Sequence, residues 1–417
     1  MKNTLKIGFW PWLVALSVVF PVLWFVPFPM IFRYAILGIT LAYYFLRGGF
    51  NQSKILFFLL ILACVISIIF NDIPPKYQPW PRFVIFVGTI LLISPAVSSN
   101  LLDRFRVNTF NLLMKLCCLV SVISLFCYFA GFNAMRNDAV GQGGATVHSM
   151  IMGPIAGLSI LYTLFYLLIL RQKRNKNGYL YIIVLGISFI MLLLARSRGA
   201  FAATLMGTFA LFLFISKFKG SQFSKFFPLI ALLTVICIPI WTRFSDSIVE
   251  KFESGEETGS YTSSRDALWE DRFDEFKKSP IYGIGFSYVP EDNSIQWWYN
   301  RFTQANHNNP EADSSIFKGK AVEPGSGWLG VLSMTGLLGF CCFSLIVLNT
   351  LNLLCKLVKR PTSDKIFSLY GAILIFFSLH LIIEGYVLSA GNFLFFIFWL
   401  LFGATYGQYN LEHKNLR

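Results

Sequence analysis

Long apolar runs separated by short polar segments occupy nearly the whole chain. A membrane span needs about 20 apolar residues to cross roughly 30 Å of hydrocarbon. Runs on that scale fall near 7–28, 30–46, 55–71, 82–99, 107–130, 147–170, 178–195, 199–216, 223–242, 326–350, 366–386 and 390–408. They predict an all-α polytopic membrane protein with about twelve transmembrane helices. No small-residue cleavage site follows the first run, so it reads as a retained helix.

The pattern is interrupted once, by an 83-residue polar stretch from Arg243 to Gly325. The expected organisation is therefore spans over 1–242, a loop module over 243–325, and spans with a tail over 326–417. Fifteen of the chain's 21 Asp and Glu residues lie in the module beside nine Lys and Arg, leaving it net −6 while the rest is +20. An acidic, aromatic-rich module between helices nine and ten directs the search for chemistry to itself or to the cavity beneath it.

Composition agrees: 55% hydrophobic, 13% charged and a mean hydropathy of +0.61 belong to a membrane protein rather than a soluble domain. Basic residues set the orientation. With the N-terminus inside, nineteen Lys and Arg fall on inner segments and five (Lys76, Arg82, Arg136, Arg196 and Arg198) on short outer ones. The positive-inside rule places both termini in the cytoplasm and the module outside. Topology accounts for the net charge of +14, which is no argument for nucleic acid. All eight cysteines lie within or beside apolar runs, so no disulfide framework holds the module. The chain shows no inverted pair of Gly/Pro-broken helices, which weakens a secondary-transporter reading.

Within the module, residues 264–278 predict a short amphipathic helix, capped by Ser263 or Ser264 and closed by Lys277 and Lys278. Leu268, Trp269, Phe273 and Phe276 share its expected apolar face, and Pro280 stops it. Beyond it, Trp297-Trp298-Tyr299 suits either interfacial anchoring or contact with sugar rings.

Arginines on the outer side are the sharper signal. Arg196 and Arg198 stand at a tight hairpin tip between the seventh and eighth runs, and Arg265 opens the module helix. A guanidinium presents a planar fork of donors matching phosphate oxygens and keeps its charge at working pH. Snorkelling to lipid phosphates is the plainer reading of the first two, and an ion pair with Asp266 or Glu270 that of Arg265. Arg136, His148 at the opening of the sixth run, and His307 in a turn-rich segment are further candidate binding residues. His380 reads as mid-span in the eleventh run, one helical turn before Glu384, an intramembrane ionisable pair. Neither an Asp-x-Asp pair nor a histidine cluster with metal spacing is present, so neither metal nor cofactor is expected.

Three segments carry a family resemblance: Ser197-Arg198-Gly199-Ala200; Ser264-Arg265-Asp266-Ala267-Leu268-Trp269 followed by Ser279-Pro280-Ile281-Tyr282-Gly283-Ile284-Gly285; and Trp328 through Gly339. In this order and topology they resemble the O-antigen ligase/polymerase superfamily. The resemblance implies a GT-C-like membrane fold and metal-independent glycosyl transfer from undecaprenyl-pyrophosphate-linked oligosaccharides at the outer face of the bacterial cytoplasmic membrane. It implies that Arg198 and Arg265 hold the donor pyrophosphate. The ligases keep a histidine where this chain reads Gly325-Ser326-Gly327-Trp328-Leu329; the nearest proton acceptor is Glu323. That departure favours a polymerase joining lipid-linked repeat units, with membrane lipid and a chain-length regulator protein as partners. A ligase acting on a lipid or protein acceptor, and a flippase for the same lipid-linked glycans, are the alternatives.

Overall fold

A computed structural model of the protein describes residues 8–48, 52–132, 141–172, 178–216, 265–288 and 325–415. Its α-helices, numbered in chain order, are α1 (Phe9–Val19), α2 (Met30–Gly48), α3 (Ile55–Ile69), α4 (Pro79–Ile93), α5 (Asn100–Phe129) and α6 (Ser149–Gln172). They continue with α7 (Gly178–Leu194), α8 (Arg198–Ile215), α9 (Arg265–Lys278), α10 (Gly327–Lys359), α11 (Ile366–Ile383) and α12 (Phe393–Asn415). Among the described residues, six helices are long and apolar enough to cross a membrane: Met30–Arg47, Asn100–Phe129, Ser149–Ile169, Arg198–Ile215, Gly327–Lys359 and Ile366–Ile383. The ninth apolar run, 223–242, lies outside the described residues.

The first run departs from expectation. Helix α1 gives way to a 3-10 turn at Phe20–Val22, and the chain is extended at Leu23. Pro21, Pro27 and Pro29 follow within a few residues, each without an amide donor to continue a helix. The freed backbone is taken up by the segment before α6: Trp24 N–H donates to Ala145 O at 3.2 Å and Val147 N–H to Val22 O at 2.9 Å.

The core runs through the facing sides of these helices, with α8 along α11, α6 along α7, α5 along α12 and α3 along α10. At the α5 start, Arg106 donates to Leu92 O, Val97 O and Leu91 O at 2.8–2.9 Å and pairs with Asp103 at 3.5 Å. Those carbonyls belong to the end of α4 and the two-residue strand Val97–Ser98, which pairs antiparallel with Gln52–Ser53. Arg106 therefore ties a turn to a helix end.

Helix α10 is broken at Gly336, whose φ of 62° and ψ of −165° are non-helical. An unbroken helix would bond Leu337 N–H to Ser333 O and Leu338 N–H to Met334 O. Instead, the two amides donate to Pro280 O (2.9 Å) and Ile281 O (3.2 Å). The two carbonyls accept from Ile284 N–H (2.8 Å) and Gly285 N–H (3.3 Å). The segment after α9 is thus inserted into the break and satisfies these four backbone groups. Helix α3 closes the other side: Ser67 Oγ donates to Met334 O at 2.5 Å, and Asn71 Nδ2 to Gly283 O at 2.9 Å.

Gly336 permits this geometry for two reasons. Its conformation is open essentially to glycine alone, and a Cβ there would overlap the Ile281 carbonyl. Gly336→Ala is expected to destabilise the protein by about 3 kcal/mol or more, combining backbone strain with lost docking bonds. Thermal unfolding and limited proteolysis in detergent check this: a lower midpoint and new cleavage within 279–288 are expected. Gly186→Ala, where a Cβ meets nothing within 4 Å, should change neither.

Candidate active site

The arginine hairpin is built by the ends of two helices. Between Leu194, the last residue of α7, and Arg198, the first of α8, Arg196 takes a left-handed φ of 50°. That region is sparsely used by non-glycine residues and turns the chain sharply enough to place two half-buried arginines within one tip. Ser197 occupies the N-cap of α8 without a side-chain cap bond. Arg198 therefore sits where the helix dipole disfavours a cation and favours an anion. The segment before α6 packs on this tip: Gln142 N–H donates to Leu194 O at 2.9 Å, and a Cβ on Gly141 would lie 3.1 Å from Arg196 Cβ. His148 is half-buried beside it, with Nδ1 accepting from Met150 N–H at 3.0 Å, so one ring nitrogen serves to cap α6.

Helix α9 meets the start of α10. Leu268 packs on Gly325, and Trp269 Nε1 donates to Gly325 O at 3.4 Å. The buried face of α9 is not the expected aromatic one. Leu268, Arg272 and Glu275 are buried at i, i+4 and i+7, whereas Phe273 is 47% exposed. An ion pair occupies the stripe: Arg272 Nη2 lies 2.6 Å from Glu275 Oε1, with 1% and 6% of the two side chains exposed. Burial dominates the pair's attraction on both partners, lowering the arginine and raising Glu275 from the usual 4.5 to about 7, against the opposing pull of Arg272 and a hydrogen bond with Ser333 of α10. Sequence reasoning missed this pair. Its i, i+3 spacing and the shared stripe with Leu268 were legible, but seven further charges on the same helix mask it.

The end of α11 is the third arm. A Cβ on Gly199 would lie 2.9 Å from Ile383 Cδ1, so the arginine hairpin abuts the last residue of α11. On the other side, a Cβ on Gly327 would lie 3.1 Å from both Glu384 O and Val387 Cγ2. Ser326 Oγ donates to Leu381 O at 3.1 Å while accepting from Leu329 N–H, capping α10 and tying it to α11 together. The mid-span reading of His380 is corrected here: α11 ends at Ile383, so His380 lies in its last turn and Glu384 is its C-cap. His380 Nδ1 lies 3.1 Å from the Tyr386 hydroxyl.

The structure thus brings Arg196, Arg198 and His148 to one end of the bundle, beside the starts of α9 and α10. Arg265 is the first residue of α9; its side chain lies outside the described ones. Arg136, Trp297, Trp298, His307 and Glu323 also lie outside the described residues. No group of three metal-ligating side chains occurs among the described residues.

Bundle, broken helix and loop helix together define a mostly helical polytopic membrane protein. Residues 183–344 match the family model described as O-antigen ligase. That span takes in the arginine hairpin, α9, its docking segment and the broken part of α10, and is consistent with the O-antigen polymerase/ligase superfamily. No curated protein matches the chain.

The buried pair gives the site end a pH dependence. Because Glu275 stands above its ordinary value, its contribution to stability is full below pH about 4.5 and is lost as pH rises toward 7. Thermal midpoints measured at pH 5 and pH 8 should therefore fall with rising pH in wild type, and Glu275→Gln should flatten that difference.

Proposed function

We propose that the protein is a polymerase joining undecaprenyl-pyrophosphate-linked oligosaccharide repeat units into surface polysaccharide. The carrying observation is convergence: two arginines at a hairpin tip, the helix opened by Arg265 and the start of α10 meet at one rim, within the matched residues 183–344. Twelve spans, a GT-C-like architecture, cytoplasmic termini and an external module at the bacterial inner membrane belong to this reading. So does a chain-length regulator protein as a partner. It is supported by the charge asymmetry of the sequence and by the family match.

In this reaction an acceptor sugar hydroxyl attacks the anomeric carbon bearing the lipid pyrophosphate. Pyrophosphate is a good leaving group, so catalysis needs stabilisation of departing charge and a base for the hydroxyl. Arg198 and Arg265 supply the first, aided by Arg196 and the uncapped amides opening α8. Trp297, Trp298, Arg136, His148 and His307 are the proposed glycan contacts. The base proposed from sequence is Glu323. Polymerase is favoured over ligase because Gly325 stands where the ligases keep a histidine.

Arg198→Ala and Arg265→Ala should each remove glycan extension without loss of expression, at about 2–4 kcal/mol of transition-state stabilisation. Lysine at either position should restore it only in part, since the fork is lost. The assay is purified protein with a lipid-linked repeat unit, read on a gel. A ladder marks a polymerase, a product only with a second acceptor marks a ligase, and movement without covalent change marks a flippase. Extension is also expected to survive EDTA; loss with recovery on Mg²⁺ or Mn²⁺ would require a metal site.

A further inference from the structure

The segment that enters α6 lies outside residues 183–344, yet it packs directly on the arginine turn. A left-handed residue such as Arg196 keeps its conformation only where its surroundings fix it. Residues 141 and 142 meet the turn at two points. Gln142 N–H donates to Leu194 O, the terminal carbonyl of α7, at 2.9 Å. Gly141, at a φ of 97°, comes so close that a Cβ would overlap the Ala195 carbonyl and stand 3.1 Å from Arg196 Cβ. That approach needs both the missing side chain and the left-handed freedom of glycine.

The same segment is held from behind by two other elements. Where prolines stop α1, Leu23 and Thr146 form an antiparallel bridge. Trp24 N–H to Ala145 O at 3.2 Å and Val147 N–H to Val22 O at 2.9 Å flank it, and Trp24 Nε1 donates to Gly144 O at 3.1 Å. From α5, Ser124 Oγ accepts from Ala145 N–H at 3.1 Å. Thr146 Oγ1 lies 2.8 Å from Gly143 O and 2.9 Å from His148 O, which stiffens the segment internally. Residues 143–146 are buried throughout. The break in α1 therefore bears, through this segment, on the turn that carries Arg196 and Arg198.

Resting on the glycosyl-transfer reading above, we propose that residues 141–147 form a strut that sets the donor-binding arginine turn, with Gly141 as its positioning residue. The role is indirect. Gly141 fixes the backbone at 195 and 196, and with it the place of Arg198 as the first residue of α8. A charged group displaced by about 1 Å can lose about 10²-fold of its effect on a transition state. Any side chain at 141 would meet backbone at Ala195, which cannot swing aside as the end of a flexible side chain can. The turn would have to move instead.

The test measures kcat, donor KM and thermal midpoint for full-length wild type, Gly141→Ala, Gly131→Ala, Ser124→Ala and Arg198→Lys, using an undecaprenyl-pyrophosphate-linked repeat unit. Gly131 has a left-handed φ of 73°, but a Cβ there would meet nothing within 4 Å, so its variant carries the strain without the contact. Gly141→Ala should lower kcat about 10–10²-fold with donor KM nearly unchanged. Gly131→Ala should lower the midpoint and keep the wild-type kcat. Ser124→Ala, which frees Ala145 N–H without adding a side chain, should lower kcat more mildly. In an Arg198→Lys background both Gly141→Ala and Ser124→Ala should cost far less than they do alone, because they act through the same group. Should Gly141→Ala fail to fold, Ser124→Ala decides. A wild-type kcat in the deciding variant, an equal loss in Gly131→Ala, or losses that multiply fully with Arg198→Lys overturns the proposal. An inactive wild type with every acceptor overturns the glycosyl-transfer reading and this assignment with it.

Discussion

A backbone group left without a partner inside an apolar bundle costs several kcal/mol, and helix α10 exposes four of them where it breaks at Gly336. The chain meets that constraint with its own loop: residues 280–285 place two carbonyls and two amides opposite the four exposed groups. Everything at the site end follows from this docking. It fixes the segment after α9, sets where α9 must lie, and through Leu268 and Trp269 joins α9 to the start of α10. The same segment reaches the first half of α4, where Arg82 Nη1 donates to Ser287 Oγ at 2.9 Å and Phe286 packs on Phe83 and Phe86. A loop that looks irregular in sequence is held on three sides.

The Arg272–Glu275 pair is the counterpart of that docking in side-chain chemistry. A buried ion pair contributes little net stability, because desolvating both partners offsets their attraction. Arg272 Nε and Nη1 and Glu275 Oε2 have no hydrogen-bond partner, so this one is not even fully satisfied. An apolar stripe would hold α9 at least as firmly. What the pair adds is direction: it suits only one rotation of α9 against Ser333, whereas Leu and Phe would tolerate several. For a helix proposed to present its first residue, Arg265, to the donor, a single rotation matters more than strength.

The sequence was most legible where hydrophobic length alone decides. Helices α2, α5, α6, α8, α10 and α11 stand where apolar runs predict them, and the arginine hairpin and the loop helix were placed to within a residue or two. Legibility fell where proline cut an apolar run, as after α1, because composition there still reads as membrane. It fell again on α9, where aromatic residues suggested the inner face although Phe273 is turned outward. The docking segment was visible as a motif, but its role was not, since backbone pairing between a loop and a broken helix leaves no side-chain signature. The family match over residues 183–344 marks the same motifs without assigning them roles.

Arginines in this bundle differ in the backbone they stand on and in the groups they are seen to hold. Arg106 spends its donors on three carbonyls and an aspartate at the start of α5. Arg33 donates to the backbone of 390–392, the turn between α11 and α12. Both act as fasteners for backbone that would otherwise be unpaired. Arg196 and Arg198 instead stand half-buried on a turn whose left-handed residue is itself an arginine, at a helix start that a cation does not stabilise. An anion at that helix start would be favoured by the same dipole. In the reaction proposed above the lipid-borne pyrophosphate is such an anion, and the hairpin that would meet it abuts the end of α11.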